Sequence, residues 1–440
     1  MLNLKRDIDK TIYNMIRKSS IGTSVLRIFN IILVFGINFF LAKLIGAKEY
    51  GIYAYTISWA SIWSMISLFG LHLLVVREVP IYKTKKEWHA LKELLWWSIK
   101  FIFFSSIIIA LLGSLILFLT SKKEFSVAIW FGMLLIPILS FIYLLQGMLR
   151  GLGSIIKAQI PQFFILPFFF LLMVLIFSQL NKLSGIFAIK LYIISAILGL
   201  LTAIYLLKNT LSKNYPFNNL IFVSKSANYR NWIKSAFPLF ISSTGQIINQ
   251  RVSTVILGSL LGAKEAGIFD ITFRIANFIN FPLMVVNMPL APIIAKFYAE
   301  NEYNQLQNII TKSARVTFSF SLILTLVFIL FGKELFLLIG KDFSLGYSVF
   351  VILSIGFLIN VATGSVMLLL NMTKYEFFVA KVIVISSLIN LILNFILIPK
   401  FHIIGAAIAN IIATILWNVL LAIGVYKKLS IYPTILGKIF

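Results

Sequence analysis

The apolar residues of this chain come in long runs, and that patterning decides what it can fold into. About twelve stretches of roughly 20 residues are nearly free of charge, the length that crosses a hydrocarbon core of ~30 Å. They lie at roughly 21–42, 51–73, 95–119, 127–149, 156–178, 186–207, 235–260, 266–290, 314–332, 346–370, 378–398 and 404–426. Only 12% of the residues are charged, against about 25% in an ordinary soluble domain. One soluble core could not bury so much apolar surface, so lipid must take it. Backbone groups in lipid have to be satisfied within their own segment, so each run is expected to be a helix. The fold class is therefore all-α and polytopic, a multi-pass protein of the cytoplasmic (inner) membrane.

The net charge is +25, which in a soluble protein would suggest nucleic acid. Here the Lys and Arg residues alternate between loops, so nucleic acid is not expected as a partner. The loop after the second span holds Arg77, Lys83, Lys85, Lys86 and Lys92, and the loop after the sixth holds Lys208, Lys213, Lys225, Arg230 and Lys234. About 24 basic residues fall on the side that carries both termini, against about 10 on the other, which predicts cytosolic termini. The first 20 residues are basic and lack the apolar core of a cleavable signal, so they are expected to lie on the cytosolic face. No outer loop exceeds about ten residues, which argues against an extracytoplasmic catalytic domain. Cysteine is absent, and His72, His89 and His402 stand alone. No catalytic residue, metal site or cofactor is expected.

An internal repeat fixes the relation between the two halves. Residues 44–60 read LIGAKEYGIYAYTISWA and residues 260–276 read LLGAKEAGIFDITFRIA. Leu44, Gly46, Ala47, Lys48, Glu49, Gly51, Ile52, Thr56 and Ala60 recur as Leu260, Gly262, Ala263, Lys264, Glu265, Gly267, Ile268, Thr272 and Ala276. Both copies join a first span to a second, and the number of spans between them is even. The chain is thus expected to form two parallel bundles of about six helices around a central cavity, a common transporter plan. The predicted organisation is a basic segment 1–20, bundles 21–207 and 233–427, a cytosolic linker 208–232 and a tail 428–440.

Polar residues inside spans are costly, about 2.5–3.5 kcal/mol for a mid-membrane charge, and so mark a cavity or a partner. The first span carries Arg27 on a face shared with Ser20, Thr23, Asn30 and Asn38. The seventh carries Gln246, Asn249 and Gln250 with Ser242, Ser243 and Ser253 on one face. Asn30 and Gln246 correspond through the repeat, so they are expected on two walls of one aqueous cavity. Arg251 points about 140° away from that stripe. The eighth span carries Asp270 and Arg274, spaced to pair, with Asn277 on the same face. The repeat equivalents of the pair are Ala54 and Ser58, so it belongs to the second half alone. Snorkelling to the interface and helix-to-helix glue are the structural alternatives for these groups. The buried arginines outnumber the one buried acid, so the cavity should attract an anion such as phosphate or diphosphate.

The segment LIGAKEYGIYAYTISWA, the second copy LLGAKEAGIFDITFRIA, LLQGMLRGLGSIIKAQIP at 144–161 and LLLNMTKYEFF at 368–378 together resemble the polysaccharide (O-antigen) flippases. These belong to the wider superfamily of multidrug exporters and oligosaccharidyl-lipid flippases. The resemblance covers nearly the whole chain. It implies a two-lobed transporter whose cationic cavity receives the diphosphate-sugar headgroup of a polyprenyl-linked oligosaccharide, with the lipid tail left in the bilayer. It places the headgroup role on Arg27 and Arg274, and less directly on Arg251. The amides Asn30, Gln246, Asn249, Gln250 and Asn277 are the further substrate-binding candidates, and Asp270 is the candidate for coupling to H⁺ or Na⁺. Membrane lipids and the polysaccharide polymerase machinery are the implied partners. A cation-coupled multidrug exporter of the same fold is the competing reading, disfavoured by the single intramembrane acid. A polysaccharide polymerase or ligase would need the large outer loop that is missing.

Overall fold

The computed structural model describes residues 2–120, 122–179, 183–214 and 229–437. The side chains of 2–21, 23, 24, 118–120, 213 and 214 lie outside that description, and with them Ser20, Thr23 and the charges of the 1–20 segment. The described residues form helices joined by short turns. Helix α1 (Leu2–Leu68) crosses twice, because Gly46 bends it at φ 75°, ψ 172°. The chain continues through α2 (Leu71–Thr84), α3 (Trp88–Thr120) and α4 (Ser126–Gly151). The next crossing is α5 (Ile155–Ile160) and α6 (Leu166–Ser178), followed by α7 (Gly185–Asn214). The second half runs through α8 (Tyr229–Leu260), α9 (Ala263–Asn277), α10 (Phe281–Ala299) and α11 (Tyr303–Ile339). It ends with α12 (Gly346–Ala362), α13 (Val366–Met372) and α14 (Glu376–Leu429).

Among the described residues, 9 helices are long and apolar enough to cross a membrane. Two of them, α1 and α14, each supply two crossings, since α14 is bent at His402 (φ 52°). Helix α8 is too polar to qualify by hydropathy, yet it is 32 residues long and packs among the others. The total is about twelve crossings, the number read from the apolar runs. Prolines stand at two breaks within crossings. Between α5 and α6, Pro161–Ile165 form one wide turn. Between α9 and α10, a tight turn at Phe278–Asn280 precedes Pro282. A proline lacks the N–H that would close the previous turn and crowds its carbonyl. The expected linker 208–232 is shorter than the sequence suggests: α7 runs on to Asn214 and α8 starts at Tyr229. No Gly or Pro interrupts 208–214, so the helix has no reason to stop there. The rest of that linker lies outside the described residues.

The repeat explains itself in three dimensions. Its two copies cross where the halves meet, at what is called here the motif end. A Cβ on Gly51 would sit 1.6 Å from the Ala263 carbonyl oxygen, and one on Gly267 would sit 2.3 Å from that of Ala47. Only glycine permits that approach. The Glu124 carboxylate accepts the Ala263 N–H at 3.0 Å, capping α9 from the first half. One continuous core at this end draws on both halves, including Leu41, Tyr50, Phe125, Phe269, Ile275 and Phe350. The halves also touch at the far end. There a Cβ on Gly70 would lie 2.5 Å from the Ala236 carbonyl oxygen, the Phe69 and Phe240 rings stack at 5.0 Å, and Trp232 Nε1 donates to the Tyr82 hydroxyl at 3.0 Å. The first residues of α8 therefore pack into the core of the first half.

Candidate functional site

Just below the crossing, one carboxylate gathers groups from four helix legs. Asp270 on α9 is 2% exposed. It takes a charge-assisted hydrogen bond from Arg274 Nε at 2.5 Å, one turn along the same helix. Its other oxygen pairs with Arg251 of α8 at 3.4 Å. The Tyr50 hydroxyl, from the second leg of α1, lies 2.9 Å from Asp270 Oδ2 and 3.0 Å from Asn38 Oδ1 on the first leg. An ionised carboxylate is the stronger acceptor for that single proton. Two guanidinium groups thus share one acid, leaving one positive charge over. Arg251 is the less satisfied of the two, because its Nε is buried without a partner.

Both arginines face a cavity of about 260 Å³ in the first half. Its walls come from both legs of α1, from α4, α6 and α7, and from the wide turn at Pro161–Ile165. Tyr53, Tyr143 and Tyr192 line it, and none of their hydroxyls has a hydrogen-bond partner among the described residues. Asn30 also lines it and donates to the Phe163 carbonyl at 2.9 Å. The cavity offers cations and hydroxyl donors around a place with one fixed acid. That set suits an anion with several acceptor oxygens.

A second cavity, of about 140 Å³, lies in the other half. Gln246, Asn249, Gln250 and Asn277 line it, joined by Asn280, Asn360, Asn390 and Asn410, with no ionisable side chain among the lining. The amides are chained together. Asn418 donates to Asn360 at 2.9 Å, Asn360 to Asn280 at 2.8 Å and Asn280 to Asn277 at 3.0 Å. On the facing wall, Asn390 donates to Asn249 at 3.3 Å and Asn394 to Asn390 at 2.8 Å.

The candidates read from sequence therefore separate. Asp270, Arg274 and Arg251 come together, and Arg251 lines the first cavity. Asn30 lines the first cavity and Gln246 the second. Arg27 lines neither. Its guanidinium sits 5.9 Å from the Phe163 ring centre, its Nε is buried without a partner, and it feels the like charge of Arg150 in the last turn of α4. Sequence reasoning missed Tyr50, the three cavity tyrosines, Arg150 and the asparagines of α12 and α14. The signal for Tyr50 was present in the repeat. Tyr50, Ala54 and Ser58 correspond to Ala266, Asp270 and Arg274, spaced by four, so the copies differ along one helical face. That face is where the halves exchange polar contacts.

The fold defines a two-lobed, multi-pass membrane protein. Among solved structures it superposes on an inward-facing multidrug resistance MATE family transporter of the MOP superfamily (TM-score 0.71, 13% identity, covering 92% of this chain and 98% of that one). It also superposes on the lipid II flippase MurJ in an inward closed conformation (TM-score 0.66, 17% identity, covering 92% and 87%). At these identities the likeness concerns fold. The chain belongs to the polysaccharide biosynthesis protein family, whose model matches residues 16–298; the MatE model matches residues 238–396. Two curated relatives from Haloferax volcanii are similar over part of their length. The probable low-salt glycan biosynthesis flippase Agl15 is 28% identical over 39% of this chain and 36% of its own. The probable flippase AglR is 28% identical over 42% of this chain and 39% of its own.

Proposed function

We propose that this protein is a flippase that carries a saccharide unit, linked through diphosphate to a polyprenyl lipid, across the cytoplasmic membrane for surface polysaccharide assembly. The observation that carries this reading is the pair of guanidinium groups, Arg251 and Arg274, sharing Asp270 at the roof of the first cavity. A diphosphate is a multivalent acceptor that competes with a single carboxylate for two arginine forks. Family membership and the two flippase relatives, one of them named for glycan biosynthesis, support the same substrate class. In the cycle, the cavity opens to the cytosol and the headgroup displaces Asp270 from Arg251, the weaker of its two partners. The halves then rock about the Gly51–Gly267 crossing. Arg27 and Arg150 supply positive potential at the cytosolic mouth, and no catalytic step is required. Asp270, left with Arg274 and Tyr50 alone, has then lost one of the two cations that favour its ionised form, which makes it the group through which H⁺ would couple.

The test uses a strain lacking the gene. Wild type is expected to restore surface polysaccharide, whereas Arg251→Gln, which leaves the Asp270–Arg274 pair intact, reaches the membrane at normal level and leaves lipid-linked units on the cytosolic leaflet. Full restoration by this variant would remove the electrostatic role. The drug-exporter reading has the fold and the MatE match in its favour. A cationic drug needs an available carboxylate, however, and the one carboxylate at either described cavity is engaged by two arginines.

A further inference from the structure

The second cavity is lined by amides and rings in a proportion that nothing in the reading above uses. Its amide network leaves specific groups over. Gln246 and Gln250 have no hydrogen-bond partner among the described residues, so each offers a free donor and a free acceptor. Asn277 only accepts, from Asn280, so its own N–H groups are unused. Asn410 only donates, to the Asn249 carbonyl oxygen at 3.4 Å, so its side-chain oxygen is unused. Trp417 adds an unpartnered indole N–H and a ring face, and Phe273 and Phe357 add two more rings to the wall. The amide chains hold Asn277 and Asn410 in place, as a preorganised site requires.

That chemistry excludes more than it admits. With no ionisable lining residue, the cavity gives nothing to a phosphate or to a cationic drug. With eight amides it is too polar for a lipid tail, whose burial would strand their donors and acceptors. Its ligand must be uncharged, rich in both donors and acceptors, and apolar on at least one face. A sugar ring has all three properties: hydroxyls around its edge, which donate and accept, and a C–H face that lies against an aromatic ring. A volume of about 140 Å³ suits a single ring better than a drug-sized ligand, which needs roughly 300 Å³ or more.

We propose that the second cavity is a saccharide subsite, taking one neutral sugar residue of the transported unit while the diphosphate sits with Arg251 and Arg274 in the first. This rests on the flippase reading for its purpose, and on the cavity's own chemistry for its ligand. The repeat supports a division of labour. Asn30 and Val34 of the first cavity correspond to Gln246 and Gln250 of the second, so equivalent positions on the two cavities carry different chemistry.

The experiment is saturation-transfer NMR on the purified full chain in nanodiscs, with glucose, galactose, mannose and N-acetylglucosamine as separate probes. Pyrophosphate is followed by ³¹P line broadening in the same samples. Wild type and Arg251→Gln are expected to transfer saturation to at least one sugar. Gln246→Leu/Gln250→Leu and Trp417→Leu are expected to weaken that sugar by about tenfold while pyrophosphate binding is unchanged. If the double variant elutes as aggregate, Gln250→Leu alone decides, because Gln250 is exposed and its replacement leaves the amide chains intact. Transfer to none of the four sugars, or transfer that survives these variants, overturns the proposal. Sugar binding with normal surface polysaccharide in a strain lacking the gene would remove the flippase reading and leave the subsite. Lost polysaccharide without sugar binding would do the reverse.

Discussion

The two halves share a scaffold down to the glycines of their crossing, yet their cavities are opposites. The first is roofed by two arginines and one acid, with tyrosine hydroxyls below. The second is a neutral box of carboxamides and rings. The charges of the first cavity are not its own: Arg251, Asp270 and Arg274 all belong to second-half helices and reach across the interface. Duplication kept what sets backbone geometry and released what sets chemistry. A transporter built this way can offer one environment to the charged part of a substrate and another to the uncharged part.

The comparison breaks first at Asp270. Asp270→Asn leaves two buried guanidinium groups without a counter-charge, a loss of about 3–5 kcal/mol. Membrane-inserted protein should fall sharply, and a melting curve in detergent should shift down by many degrees. Asp270→Asn/Arg274→Gln should recover most of the stability without recovering transport. A stable single variant would mean that the carboxylate is not the keystone of the first cavity.

The matching change in the neutral cavity is milder. Asn360→Ala strands the Asn280 acceptor and the Asn418 donor, each bonded to Asn360, at about 1–3 kcal/mol in total. The same melting assay should place it well between wild type and Asp270→Asn. Equal destabilisation would erase the distinction between a charged hub and an amide chain.

The sequence reached the scaffold easily and the site unevenly. Apolar runs of membrane length and the Gly51/Gly267 repeat made the crossings and the parallel halves legible, because both depend on local pattern. The Asp270–Arg274 pair was legible because its members lie one helical turn apart. Tyr50 was not, because its meeting with Asp270 depends on how helices from different halves cross, and the Arg251 contact was not, because it depends on how α8 packs against α9. The amides of α12 and α14 were invisible for a related reason. A lone Asn390 or Asn410 in an apolar run reads as packing glue until its neighbours are known. Arg27 shows the converse: a resemblance gave it the headgroup role, while its position at the far end, beside Phe163 and near Arg150, separates it from the hub.

The smallest expected effects lie in the hydroxyls. Tyr53→Phe or Tyr192→Phe removes one cavity donor and leaves its ring packing in place. Polysaccharide export should slow by a few-fold at most, roughly the worth of one hydrogen bond, with no change in melting temperature. An effect as large as that of Arg251→Gln would shift the anion site from the arginines to the tyrosines.

The most direct test of the central claim is pyrophosphate binding to the purified protein, measured by titration calorimetry for wild type and Arg251→Gln at low and moderate salt. Arg251→Gln removes the less satisfied guanidinium and leaves the Asp270–Arg274 pair intact, so its fold should be unaffected. The expected result is binding at least tenfold weaker in the variant, about 1.4 kcal/mol, with a shallower salt dependence. Equal affinity in the two proteins would contradict the assignment of the first cavity to the charged end of the substrate.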